Sequence, residues 1–427
     1  MKTAKKLILF IASLTIFGMI ILLSCHNRYT GPNKKNIFEE SSGDYILPAG
    51  YLTQEEQYDP LDPDKMAVVL FSNDNYRIPA LTITAKKTIL AAVGTGTSHN
   101  HIAIKKSSDM GKTWTDVNAN YSDFSGMYTH PFFINCHNGD ILMGIATTNG
   151  NENKTALYRS SDDGNSWTMQ TNIFLTNVAS NYTNSKNETN CFVAFGQGLT
   201  LRHGTNANAK KLMFPYYYYG INSGNNKPGT FAAIMCSEDD GKTFETVGYN
   251  GSYSSHEPDL VELSDGTVLL SMRPTNTAKR YWFKGTNWNT CYDNAESIDT
   301  MHTDFTRYEF YGKDIKSGSM GAKYALMVHS KKAGNGYVVR MTLSDFNNGQ
   351  KGGTGSKFLY GKEFATNAAP AGYPAITVLP DGTIATLTEE TNNTIVFRRF
   401  NLSWLSSNGE EGGGEEYVDY DNDNVLK

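Results

Sequence analysis

The stretch "SNDNYRIPALTI", residues 72–83, sets an arginine among residues that belong in a core. Arg77 stands with Tyr76, Ile78, Ala80 and Leu81, and a proline follows at position 79. An ionised guanidinium among apolar side chains is costly unless an anion meets it. Either the chain or a substrate must supply that anion, so local anion recognition is the first chemistry the sequence offers. Nucleic acid is excluded as the partner. The 427 residues carry 38 Lys and Arg against 43 Asp and Glu, a formal charge of -5, whereas phosphate backbones require a concentrated basic surface. Zinc chemistry is disfavoured too. Cys136, Cys191, Cys236 and Cys291 show no CxxC or Cys/His spacing, which makes buried free thiols the plainer reading and one or two disulfides the alternative.

The elements that must position Arg77 are strands. With 39% hydrophobic and 19% charged residues the chain is globular, with material for one large core or two modest domains. Its 39 glycines and many Asn, Thr and Tyr residues suit short strands joined by tight turns. A repeat supports this: "SSDMGKTW" at 107–114, "SSDDGNSW" at 160–167 and "SEDDGKTF" at 237–244. In each, the Asp (109, 162, 239) caps its own turn, the Gly (111, 164, 241) supplies a positive φ, and the aromatic (Trp114, Trp167, Phe244) packs under the turn. Each box follows an alternating strand. Later stretches, "CHNGDILMGIA", "LSDGTVLLSMR" and "LPDGTIATLTE", pair a turn with a strand. Sheets of about four strands recurring along the chain predict an all-β, six-bladed β-propeller with a β-sandwich as runner-up.

The ends read differently. Lys2, Lys5 and Lys6 precede an apolar run, Leu7 to Leu23, that stops at "LLSC". Residues 1–25 therefore read as a lipoprotein signal with Cys25 as the lipidated residue, against a plain transmembrane anchor as the competing reading. Residues 26–54 suit a tether, 55–406 the folded body, and 407–427 an acidic, glycine-rich disordered tail. The expected location is outside the cytoplasm, at the periplasm or cell surface, with the membrane met only through the lipid.

The three boxes are Asp-box (BNR) repeats, and "YRIPAL" resembles the F/Y-R-I-P motif that opens sialidases. The resemblance extends over roughly residues 66–405. "HEPDLVELSDGTVLLSMRP" is similar to the sialidase segment in which an acidic residue precedes the second arginine, which implies Glu257 and Arg273. "GYPAITVLPDGTIATLTEE" is similar to the final motif, in which a tyrosine precedes the glutamate that orients the first arginine, which implies Tyr373 and Glu389. The activity implied is that of an exo-α-sialidase releasing a terminal sialic or related nonulosonic acid from a glycan, with no cofactor. Paired guanidinium groups suit a sugar carboxylate. A neutral phenol is not repelled by that carboxylate, and Glu257 would take its proton as Tyr373 attacks.

Two departures stand out. The loop "VGTGTSHNHIAIKK" has no carboxylate where the family has its acid/base aspartate, leaving His99 or His101 as proton donors. The third carboxylate-binding arginine is also absent from its place near Gly336. Arg340, four residues on and on the same strand face, is the nearest substitute, with Lys331 or Lys332 reaching from the loop. These gaps keep open a glycosidase of altered substrate and a non-catalytic glycan-binding propeller. A protein-interaction propeller would leave the buried arginines without a purpose.

Overall fold

The strand "ILAAVGT", Ile89–Thr95, is buried at every residue. Its side chains alternate: Ile89, Ala91 and Val93 enter one apolar cluster while Leu90 and Ala92 enter another. A strand covered on both faces needs a neighbouring sheet on each side. The computed structural model supplies them. It describes residues 50–52, 56, 59–95, 101–117, 127–149, 152–170, 191–193, 196–203, 210–221, 228–249, 255–263, 266–274, 279–284, 287–297, 302–310, 313–314, 324–334, 336–345, 357–369, 372–407 and 410–411.

Six sheets of four or five strands follow one another along the described residues, beside a short two-stranded one. The first sheet runs Arg77–Ile83, Ile89–Thr95, His101–Ser107, Thr115–Asp116. The second, fourth and fifth start from Met127–Asn135, Ser255–Glu262 and Thr303–Arg307; the third is built on Leu212–Ile221 and Pro228–Ser237. The sixth sheet consists of Pro374–Val378, Ile384–Glu390 and Thr394–Phe400, and its outer strand is Val68–Phe71 from the other end of the body.

Apolar clusters join each sheet to the next. Leu90 with Phe133 and Met143 links first to second, Phe132 with Phe214 and Phe231 second to third, and Ile234 with Leu260 and Leu270 third to fourth. Val261 with Phe305 and Met327 links fourth to fifth, Val328 with Ile376 and Phe400 fifth to sixth, and Leu387 with Leu81 and Val93 sixth back to first. The arrangement is a β-propeller, not the sandwich held as runner-up. Five blades are recognised in it, so the expected number of six is not established.

The boxes lock these sheets together. In each turn the serine hydroxyl donates to the aspartate at 2.8 Å and accepts from the glycine N–H at 2.8–2.9 Å. The hydroxyl of Thr113, Ser166 or Thr243 donates to the second aspartate oxygen at 2.6–2.7 Å. Burial opposes ionisation of these aspartates, but the hydrogen bonds outweigh it and hold all three below the usual carboxylate range. Each glycine has φ between 78° and 86° and abuts the preceding sheet: Gly111 meets Phe397, Gly164 meets Leu90 and Gly241 meets Leu142.

The body is longer than 55–406. Gly50 and Leu52 already dock on it, the Gly50 carbonyl accepting from Arg399 at 2.6 Å and the Leu52 N–H donating to Asp381 at 3.0 Å. At the other end Glu410–Glu411 pairs with Gly361 and Tyr360, so the tail expected from 407 begins with a strand. The signal segment, Cys25, most of the tether and the tail beyond 411 lie outside the described residues. Cys136 and Cys236 are buried free thiols, which burial pushes up to about 12 and about 11. Neither is a nucleophile at neutral pH.

Candidate active site

Three inner strands carry a proline just inside the end nearest Arg77, and each breaks its ladder there. The register shifts between Arg77 and Ala80, between Thr129 and Phe132, and between His256 and Pro258. The residue before each proline takes a positive φ: Ile78 59°, His130 57° and Glu257 44°. Such values are rare for side-chain-bearing residues, most of all for a β-branched one. A bulge re-aims the side chains around it. Here it turns Arg77 and Glu257 toward one place.

Tyr373 stands at the centre of that place. Its hydroxyl donates to Glu257 Oε1, and Arg273 Nη1 donates to Glu257 Oε2 at 2.7 Å. The guanidinium of Arg77 lies 5.4 Å from the centre of the Tyr373 ring. The ring of His302, itself buried, stacks on the same tyrosine at 5.2 Å with 29° between planes. Glu389 gathers the rest: it accepts from Arg77 Nε at 3.3 Å and Nη2 at 3.2 Å, from the Ile78 N–H at 2.5 Å and from the Tyr373 N–H at 3.1 Å. A Cβ on Gly372 would sit 2.9 Å from the Glu389 carbonyl, so the turn into Tyr373 needs a glycine. The Gly372 carbonyl accepts from Ser330 Oγ at 2.7 Å, tying that turn to the fifth sheet.

Electrostatics follow from this packing. Burial raises the Tyr373 pKa above the ordinary phenol value, the Glu257 carboxylate raises it further, and Arg273 opposes both. The phenol therefore rests protonated, with its proton directed at Glu257. Burial works against the charge of Arg77 and Arg273, but Glu389 for the first and Glu257 for the second outweigh it and raise both. Burial pushes Glu389 up, while Arg77 and the N–H groups of Ile78 and Tyr373 resist that rise. Four donors on one carboxylate favour its anion. The cluster can thus accept an anionic ligand by lending it arginines that their own glutamates hold meanwhile.

Arg77, Arg273, Glu257, Tyr373 and Glu389, dispersed over 312 residues, are brought together. Arg340 approaches a different carboxylate. It lies on the third strand of the fifth sheet, 3.6 Å from Glu363, and a Cβ on Gly361 would be 2.7 Å from its Nη2. Lys331 pairs with the same Glu363 at 2.6 Å. Glu363 is the cross-strand partner of Arg340. His101 is exposed, and His99 lies outside the described residues. Sequence reasoning missed His302; its alternation with the buried Asp304 in "HTDF" was the available signal. It also missed His256, beside Glu257, whose ring meets Tyr217 edge-on at 5.6 Å. A cavity of about 140 Å3 opens at the opposite ends of the inner strands, lined by Thr82, Asn135, Gln197, Glu262 and Arg307, away from Tyr373.

No family profile matches the chain. A curated relative, a protein named sialidase from Micromonospora viridifaciens, is 27% identical over 364 residues, 78% of this chain. The chain spans about half of that relative, 52% of its length. Among solved structures, a Hadza microbial sialidase aligns with a TM-score of 0.57 at 16% identity, covering 78% of this chain and 66% of that one. A leech intramolecular trans-sialidase complexed with 2,7-anhydro-Neu5Ac aligns with a TM-score of 0.57 at 15% identity, covering 86% and 71%.

Proposed function

Because the chain is a homologue of a sialidase and has the β-propeller arrangement of sialidase structures, we propose that it is an exo-α-sialidase-like glycoside hydrolase releasing a terminal sialic or related nonulosonic acid. The observation that carries this reading is the hydrogen bond from Tyr373 to Glu257 between two arginines. Binding alone needs no phenol poised on a carboxylate. Arg77 and Arg273 grip the sugar carboxylate. The Tyr373 oxygen attacks the anomeric carbon as its proton passes to Glu257, and the bond to the aglycone breaks. His99 supplies the leaving group's proton. Water then cleaves the glycosyl-tyrosine with the same group as base, and the phenol regains its proton from Glu257. The anomeric configuration is retained. The domain acts outside the cytoplasm, held by a lipid on Cys25, the role its N-terminal segment suits.

Tyr373→Phe should reduce release of a fluorogenic α-sialoside by several orders of magnitude while leaving the circular dichroism spectrum and Tm unchanged. Equal activity in the variant excludes Tyr373 as nucleophile. A second reading, a glycan-binding propeller without turnover, draws on the engagement of Arg340 with Glu363. It expects no turnover by the wild type, together with a higher Tm in free sialic acid that Arg77→Ala abolishes.

A further inference from the structure

Three sheets hold Tyr373, each at a different level. Its backbone is tied to the sixth: the N–H donates to Glu389 Oε2 at 3.1 Å, and the carbonyl accepts from the Glu389 N–H at 3.1 Å. Its hydroxyl reaches Glu257 in the fourth. Between root and tip the ring meets the fifth sheet, where His302 immediately precedes the inner strand Thr303–Arg307 and stacks on the phenol at 5.2 Å with 29° between planes. The second strand of that sheet, whose His329 pairs with Thr303, sends Ser330 Oγ to the Gly372 carbonyl at 2.7 Å. Turn and ring of the tyrosine thus rest on the same sheet.

These ties do not last equally through the reaction described above. When the Tyr373 oxygen attacks, its proton passes to Glu257, and a glycosylated phenol oxygen has no proton left to donate. The bond that directs the tip is therefore spent in the first half of the cycle. Arg77 lies 5.4 Å from the ring centre, but its partly exposed guanidinium is also the group offered to the sugar carboxylate. The backbone bonds leave both side-chain torsions of the tyrosine open. The stack on His302 depends on neither a proton nor a substrate. It persists.

Resting on the catalytic reading above, we propose that His302 is a positioning residue: by stacking, it holds the Tyr373 ring in its attacking orientation through both halves of the cycle. His302 is 1% exposed, so it acts through the tyrosine and does not touch the sugar. Such a side chain moves kcat and spares KM. The sugar carboxylate is gripped by Arg77 and Arg273, whereas the orientation of the phenol oxygen counts only when it reacts. Phenylalanine at this position keeps a flat face for the tyrosine, and alanine leaves the ring free to turn.

The test measures kcat and KM of full-length wild type, His302→Ala and His302→Phe on a fluorogenic α-sialoside, at a temperature at which circular dichroism shows all three folded. Expected are a kcat about ten- to a hundredfold lower in His302→Ala with KM within about twofold, and a kcat within about threefold of wild type in His302→Phe. An unchanged kcat in His302→Ala overturns the proposal. So does a His302→Phe as slow as His302→Ala, because the flat ring is then not the device. A KM that rises as much as kcat falls overturns it as well, since His302 then shapes the sugar site. Should His302→Ala not fold, His302→Leu, which fills the space without a flat face, takes its place. Should wild type turn over no α-sialoside, the catalytic reading fails separately, and crystals of the same variants decide. A Tyr373 hydroxyl that leaves Glu257 in His302→Ala and stays there in His302→Phe supports the hold; any other pairing overturns it.

Discussion

Glu389 shows how much one side chain can organise. Its carboxylate receives Nε and Nη2 of Arg77 and two backbone N–H groups, from Ile78 and Tyr373. One of those N–H groups belongs to a residue with φ of 59°, a strained conformation that a strong acceptor helps to hold. Glu389→Gln replaces an acceptor by an amide NH2 facing an N–H and removes the counter-charge of Arg77. A fully buried ion pair broken in this way costs about 3–5 kcal/mol. The Arg77 side chain is 40% exposed, so the expected loss is about 1–2 kcal/mol in urea unfolding. On the proposed reading the activity effect should be larger in KM than in kcat, because Arg77 would meet the substrate carboxylate in ground and transition states alike. An unchanged KM would remove Arg77 from the carboxylate clamp.

At the scale of the element, the Asp-box hairpin and the proline bulge divide the labour. The hairpin seals sheet to sheet; the bulge aims side chains at the axis. Gly164 demonstrates the first. Its φ is 78°, and a Cβ there would lie 2.8 Å from Leu90 in the preceding sheet. Gly164→Ala should therefore cost about 1–3 kcal/mol by overpacking and left-handed strain, read as a lower urea midpoint, with kcat/KM unchanged at 25 °C. A fall in kcat/KM without a fall in stability would mean that the box reaches the site after all.

The whole molecule closes on itself through Val68–Phe71, which pairs with Thr394–Phe400, and through Asn401, which donates to the Asp59 carbonyl at 2.8 Å and accepts from the Leu61 N–H at 3.0 Å. Leu70 and Phe71 fill the cluster between the sixth and first sheets. Removing the chain up to Phe71 should open this seam and lower Tm sharply, whereas removal up to residue 49 should leave Tm unchanged and release the protein from membranes into the soluble fraction. Retention of the shorter protein on membranes would contradict the lipid on Cys25; a lower Tm would place the start of the body before Gly50.

Much of the design is local and therefore legible in the chain. The box turns close within eight residues, with donor, acceptor and glycine all inside the motif. Ile78–Pro79 and Glu257–Pro258 announce their bulges by a proline that no central ladder accepts. Arg77 announced an anion by its apolar neighbours. What tertiary structure decided are the contacts whose partners lie in different sheets: the stacking of His302 on Tyr373, the bond from the Tyr373 hydroxyl to Glu257 and the grip of Glu389 on Arg77. Periodicity tells which face of a strand a side chain takes, but the group waiting on that face is set by the register between sheets, and no stretch of sequence contains it.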